Sequence, residues 1–151
     1  MIPTLLISVP ANWTINWAWG LPLIVLTVVI HVAGLGFIKH KAFSVSRRTI
    51  RHHTTLSLVI IGAVTLSATA LHAIEACLWA GAYVLLGALS DYKSAMLYSL
   101  NAVTSYGHTD LELAPHWHLM GALEALNGWL LFGLTTAFLF AVIDKLWMPE
   151  K

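Results

Sequence analysis

Apolar residues fill three long stretches of this chain, and a fourth, shorter run lies between the second and third. The first stretch is "WAWGLPLIVLTVVIHVAGLGFI", Trp17 to Ile38; the second runs from Leu56 to Leu89; the third runs from Leu119 to Ile143. A membrane-spanning helix needs about 20 mostly apolar residues, so each is long enough to cross. The second would reach about 50 Å as one helix, beyond the hydrocarbon thickness, so it has to tilt, bend or project into water. The short run, "SAMLYSLNAV" from Ser94 to Val103, cannot cross; such a segment dips in and returns. The polar stretch Thr104, Ser105, Tyr106, Gly107 and His108 follows it directly. The pattern predicts an all-α integral membrane protein with three transmembrane helices and one short re-entrant helix ending in a polar turn.

Composition supports the membrane reading. The chain is 58% hydrophobic and 10% charged, against roughly 25% charged in soluble domains. A formal net charge of +1 gives no reason to expect a nucleic-acid partner. The single cysteine, Cys77, sits in an apolar run, so no disulfide within one chain is available and a buried inert thiol is expected. The first twenty residues lack a basic lead and are interrupted by Pro3 and Pro10, unlike a signal peptide. Trp13, Trp17 and Trp19 read as an interfacial aromatic belt.

Charge sets the expected orientation. Lys39, Lys41, Arg47, Arg48 and Arg51 fall between the first two spans, which places that loop in the cytoplasm. The N-terminus is then outside, the 90–118 segment outside, and the C-terminus cytoplasmic. His40, His52 and His53 of the basic loop read as solvated or headgroup-facing.

A short helix ending inside a membrane aims its carboxyl end, with about half a negative charge, at the centre. The backbone beyond it can offer carbonyls to a dehydrating cation. Non-helical backbone at that depth survives only buried in protein or lining water. One loop cannot surround an axis, so several copies of the chain are required.

The stretch "HAIEACLWAGAYVLLGALSDYKSAMLYSLNAVTSYGHTDLEL", followed by "WHLMGALEALNGWLLFGLTTAFLFAVI", carries a resemblance. It resembles the small bacterial ion-channel proteins grouped with two-pore-domain potassium channels, in the pore-loop potassium channel superfamily. The resemblance covers roughly residues 60 to 143. It implies a homotetramer in the bacterial inner membrane, a pore helix from about Tyr92 to Ala102, and one filter built from four loops. It also implies a division into residues 1–54 (interfacial segment, first span, basic loop) and 55–151 (pore-loop domain). Laid on without a gap, the family filter Thr-Val-Gly-Tyr-Gly falls on Val103, Thr104, Ser105, Tyr106 and Gly107, with His108 at the family aspartate. Only Tyr106 and Gly107 match. A one-residue gap aligns Thr104 with the family threonine and shortens the filter. At Ser105 a Cβ disfavours the positive φ that glycine permits. The expected permeant species is a monovalent cation, potassium or another, and no resident cofactor is expected.

Ionisable groups inside spans are costly and often functional. His72 and Glu75 are three residues apart on one face of the second span; they bond to each other or to the short helix, or handle an ion or proton. Glu124, near the outer end of the third span, braces the loop behind the filter or handles ions. His31 stands alone in the first span and is satisfied by a neighbouring helix. Gly121, Gly128 and Gly133 allow close helix packing, and Gly128 and Gly133 are also hinge candidates. Thr135 and Thr136 face an inner cavity or bond back to their own helix. His116 and His118, spaced by two, are weak metal-ligand candidates beside the interfacial Trp117. Asp110 and Glu112 form either a cation-concentrating vestibule or a solvated loop.

No nucleophile, base and orienting group converge in sequence, so no enzymatic activity is expected. Two other readings stand beside the cation channel. One is a haem- or quinone-binding anchor with His31 and His72 as axial ligands; the other is a non-conducting accessory membrane subunit. The channel reading makes His108 an acid sensor, because histidine gains its charge near pH 6.5. Lowering external pH from about 7.5 to 5.5 charges it and opposes cation entry. Cation currents should fall in acid, and His108→Asn should blunt the fall; equal acid responses in the two proteins would remove His108 from the account.

Overall fold

The computed structural model describes the backbone of residues 9–49, 54–107 and 111–147, with side chains over 13–44, 55–107 and 111–147. His108 and Asp110 lie outside the described residues, as do Arg51, His52 and His53 and the side chains of Arg47 and Arg48. The elements in chain order are α1 (Val9–Thr49), α2 (Thr54–Leu85), α3 (Tyr92–Val103), a 3₁₀ turn (Pro115–Trp117) and α4 (His118–Trp147). Among the described residues there is no strand. Among the described residues, three segments are long and apolar enough to cross a membrane: Trp13–Ser44, Thr55–Leu85 and Pro115–Trp147.

The helices overrun the apolar stretches at most ends, α1 beginning at Val9 and α4 ending at Trp147, and two boundaries have a readable cause. The first helix does not stop at Ile38. Residues 38–49 contain neither glycine nor proline, so nothing breaks the hydrogen-bond ladder, and Lys39 and Lys41 ride on α1 rather than in a loop. The second helix ends at Leu85, short of Leu89. Gly87 takes φ 66°, and the amides of Gly87 and Ala88 bond to the carbonyls of Val84 (3.1 Å) and Tyr83 (2.8 Å). That is a Schellman stop, which satisfies carbonyls the helix would otherwise orphan.

The short helix starts on a side-chain cap. The Ser94 amide donates to the Asp91 carboxylate at 2.9 Å. This bond from the Ser94 backbone holds the Asp91 carboxyl below its ordinary range, so a negative charge sits where the helix dipole favours one. The helix ends in a second Schellman stop. The Ser105 amide bonds to the Ala102 carbonyl and the Tyr106 amide to the Asn101 carbonyl, both at 2.9 Å.

Contacts at successive heights fix the direction of every helix. Asn16 meets Met120, Thr27 meets Asn127, and His31 meets Thr135, so α1 and α4 run parallel. Near one end Ile60 and Val64 cluster with Val142; near the other Trp79 and Tyr83 cluster with Met120 and Leu123, so α2 runs antiparallel to α4. The short helix runs back along α2 and parallel to α4, packed against both. Its main core is aromatic: Trp79, Tyr83, Tyr98 and Trp117 pack with Ala80, Ala95, Ala102 and Met120. Tyr83 and Tyr98 meet edge to face, with centroids 5.4 Å apart. The 111–114 segment is tied back through the Ala114 amide to the Ala88 carbonyl at 3.1 Å.

Two α4 glycines let α3 come close. A Cβ on Gly121 would run into the Tyr98 hydroxyl, and one on Gly128 would run into the backbone carbonyl of Val103. Gly133 has open space beside it. Gly128 is thus a close-approach residue, and Gly133 lies within the uninterrupted helix α4. Gly128→Ala should lower stability by about 1–3 kcal/mol, because backbone on the far side cannot give way. Gly133→Ala should stay within about 0.5 kcal/mol of the parent. Thermal unfolding of the detergent-solubilised protein measures both, and equal melting temperatures would refute the assigned packing.

Candidate functional site

Polar groups gather at three heights along α4. The first is centred on Glu124, which is fully buried. Tyr83 of α2 donates its hydroxyl to Glu124 Oε2 at 2.5 Å, and the Ser99 hydroxyl of α3 contacts Glu124 Oε1. Ser99 also reaches the Ala76 carbonyl at 2.8 Å. One carboxyl group therefore joins α2, α3 and α4. Buried polar groups of this kind persist only when their hydrogen bonds are made.

The turn after α3 lies at the second height. Val103 packs against Gly128, ten residues into α4 and about 15 Å from its start. Thr104 caps the helix with α backbone angles, and its hydroxyl bonds back to the Leu100 carbonyl at 2.7 Å. Ser105 adopts φ 54° and Gly107 φ 93°. The Ser105 position is one that glycine fills at least cost; a Cβ there is strained by about 1 kcal/mol or more. Its hydroxyl accepts the indole N–H of Trp129 at 2.9 Å, which offsets part of that strain. Thr104, Ser105, Tyr106 and Gly107 are exposed, with Tyr106 at 85%. An extended row of carbonyls beginning at Val103 is not what forms. Val103 is the last residue of α3, because the Schellman stop holds Asn101 and Ala102 in helical hydrogen bonding.

The third height, seven residues further along α4, holds His31, His72, Glu75 and Thr135. His31 Nδ1 lies 2.8 Å from Glu75 Oε1, and His31 Nε2 lies 2.9 Å from the Thr135 hydroxyl. His72 Nε2 lies 3.1 Å from the same hydroxyl, and His72 Nδ1 lies 3.4 Å from Glu75 Oε2. His31 is therefore satisfied by neighbouring helices. The His72–Glu75 face turns toward α1 and α4, and no bond from it to α3 forms, because α3 ends two turns short of this height. Phe132 stacks on His72, with ring centroids 4.5 Å apart.

The arrangement does not suit a haem ligated by His31 and His72. Axial ligands approach the iron from opposite faces of the macrocycle. Here the two ring centroids are 4.9 Å apart and both Nε2 atoms share one hydroxyl oxygen. The remaining candidates stay peripheral. His118 Nε2 is bonded to the Leu113 carbonyl at 2.7 Å, while His116 and Glu112 are exposed. Cys77 is half-buried, with Sγ 3.7 Å from Met96 Sδ. Thr136 bonds back to the Phe132 carbonyl at 2.8 Å, whereas Thr135 turns inward.

Sequence reasoning missed Asn16, Thr27, Tyr83, Ser99 and Asn127. Asn16 spans from the His116 carbonyl (2.7 Å) to the Met120 amide (3.1 Å), and Asn127 donates to Thr27 at 2.8 Å. Asn127 lies three residues after Glu124 on one face of an apolar helix, which was a readable signal. Comparison with protein-family models, with curated proteins and with solved structures finds no match for this chain.

Tyr83→Phe removes the hydroxyl donor to Glu124 Oε2 while keeping the aromatic packing. It should cost about 1–3 kcal/mol, the penalty of a buried group left unsatisfied. Thermal unfolding in detergent measures this, and an unchanged midpoint would show that Glu124 does not depend on Tyr83.

Proposed function

We propose that the chain is a subunit of a cation channel that conducts passively through a homo-oligomeric, tetrameric pore of the pore-loop type. The turn Thr104–Gly107 of each copy faces a shared water-filled axis. One observation carries the reading: an exposed polar turn sits about 15 Å along α4, at the carboxyl end of a short helix locked in place by buried contacts. Exposed non-helical backbone cannot face hydrocarbon, so other copies and water must cover it.

The dipole of α3 then favours a cation at the turn, and weak successive sites let it leave. Glu124 acts as filter support through Ser99, holding the helix that carries the turn. On α4, Leu126, Trp129, Gly133, Thr136 and Phe140 are exposed at helical spacing and continue below the turn; they line the inner pore or its subunit contacts. Lys39, Lys41 and Lys145 lie near one end of the bundle, which belongs in the cytoplasm, and the turn enters from outside. The permeant ion is a monovalent cation.

A second reading, a non-conducting membrane subunit of the same architecture, draws on the helical conformation of Val103 and Thr104. A proteoliposome flux assay under K⁺ and Na⁺ gradients separates the two. The channel reading expects cation flux that Tyr106→Ala changes by tenfold or in its K⁺/Na⁺ ratio, from a particle with a central axis. Absence of flux from a correctly assembled oligomer, or a monomeric particle, would overturn it.

A further inference from the structure

We propose that His31, His72 and Glu75 form a binding site for one divalent transition-metal ion of the zinc type, with Thr135 as the group that orients both imidazoles. The proposal rests on counting hydrogens, and it holds whether or not the chain conducts. His31 comes from α1, His72 and Glu75 from α2, and Thr135 from α4. The side chains of His31, His72 and Glu75 are 0, 12 and 1% exposed. One ligand atom from each of the three lies within 4.8 Å of the others.

The Thr135 hydroxyl has two lone pairs and one hydrogen. It contacts Nε2 of both rings. If it accepts from both, both imidazoles are neutral with bare Nδ1 atoms, and two lone pairs converge on the Glu75 carboxylate. If it donates to His31, that ring's Nδ1–H satisfies Glu75 Oε1. His72 must then donate from Nε2, and its bare Nδ1 faces Oε2. If it donates to His72 instead, the bare Nδ1 belongs to His31 and faces Oε1. In each arrangement with neutral rings and an ionised carboxylate, lone pairs oppose each other and one positive charge is missing.

The structure marks the place. His72 Nδ1 and Glu75 Oε2 are buried, 3.4 Å apart, and neither has a hydrogen-bond partner. Two imidazole nitrogens and a carboxylate oxygen are the donor set zinc and its neighbours accept. With metal–ligand bonds of about 2.0–2.1 Å, two ligands at tetrahedral positions sit about 3.3 Å apart. The His72–Glu75 separation of 3.4 Å is close to that value and too long for a good hydrogen bond. Both rings are fixed through their far nitrogens by one hydroxyl, the role an outer-shell group plays at metal-bound histidine. Phe132 covers the His72 ring. Three protein ligands are the number at which a fourth tetrahedral position would fall to water.

The test uses untagged full-length protein in detergent, stripped with chelator and titrated with Co²⁺ as a spectroscopic probe. The expected result is visible tetrahedral bands saturating at one ion per chain, bleached by Zn²⁺, with a zinc-dependent rise in melting temperature. His72→Gln and Glu75→Gln should each weaken binding by about tenfold to a hundredfold. His116→Gln combined with His118→Gln should leave the bands unchanged. Two outcomes overturn the proposal: no Co²⁺ bands and no zinc-dependent melting shift in folded wild type, which would mean that a proton alone closes the cluster; or bands that survive His72→Gln with Glu75→Gln. Should one variant not fold, the other decides the location, and the wild-type titration decides whether an ion binds at all.

Discussion

The bond between Glu124 and its two hydroxyl partners sets the position of everything around α3. That helix has only three turns, too few to be stable alone. Its N-terminus is fixed by Asp91 and its body by aromatic packing. The Ser99 side chain touches both neighbouring helices, contacting Glu124 of α4 and the Ala76 carbonyl of α2. With Tyr83 bonded to the other carboxylate oxygen, sliding α3 along its axis breaks contacts on two sides at once. The close approaches at Gly121 and Gly128 add a steric stop in the same direction. The turn after Val103 inherits its height in the bundle from these constraints.

The helix count changes along the bundle, and the polar chemistry changes with it. Around Glu124, α2, α3 and α4 meet, and α1 adds Asn16 and Thr27 through its bonds to α4. Two turns beyond Gly128, about 10 Å further on, α3 is gone and three helices close on one another through His31, Glu75, His72 and Thr135. Leu35, Ala68 and Leu71 then form a small apolar cluster below. Each polar layer joins helices that lie far apart in the chain. A shift of α1 against α4 by one turn would leave His31 and Thr27 facing carbon, so these layers fix register as well as proximity.

The sequence made some of this legible and hid the rest for identifiable reasons. Three spans and a short apolar segment over 94–103 follow from hydrophobic run lengths alone; the helix that forms there begins two residues earlier, at Tyr92. His72 and Glu75 could be placed on one face because spacing within a helix is fixed. Their partners could not be named, since His31 and Thr135 meet only once the register of two parallel helices is set. Tyr83 and Ser99 gave no signal, because a tyrosine or serine within an apolar run has many uses. The boundary at Leu85 was missed although Gly87 was visible: the apolar run continues past it to Leu89, and turn geometry outweighed hydropathy. The basic residues after Ile38 read as a loop because charge suggests water, but lysine and arginine are good helix formers.

The turn itself shows how a resemblance in letters and a conformation can part. Tyr106 and Gly107 match a filter pattern, and the two residues before them do not. Serine at 105 takes the left-handed angle that ends α3, and Trp129 holds its hydroxyl. That pairing explains why a residue with a Cβ is tolerated at a glycine position: the strain is local, and the compensating bond comes from α4. It also ties the turn to the exposed face of α4, since Trp129 is itself 71% exposed. The turn and the face of the long helix beside it are joined through this bond into one exposed surface, so the conformation of the one depends on the side chain of the other.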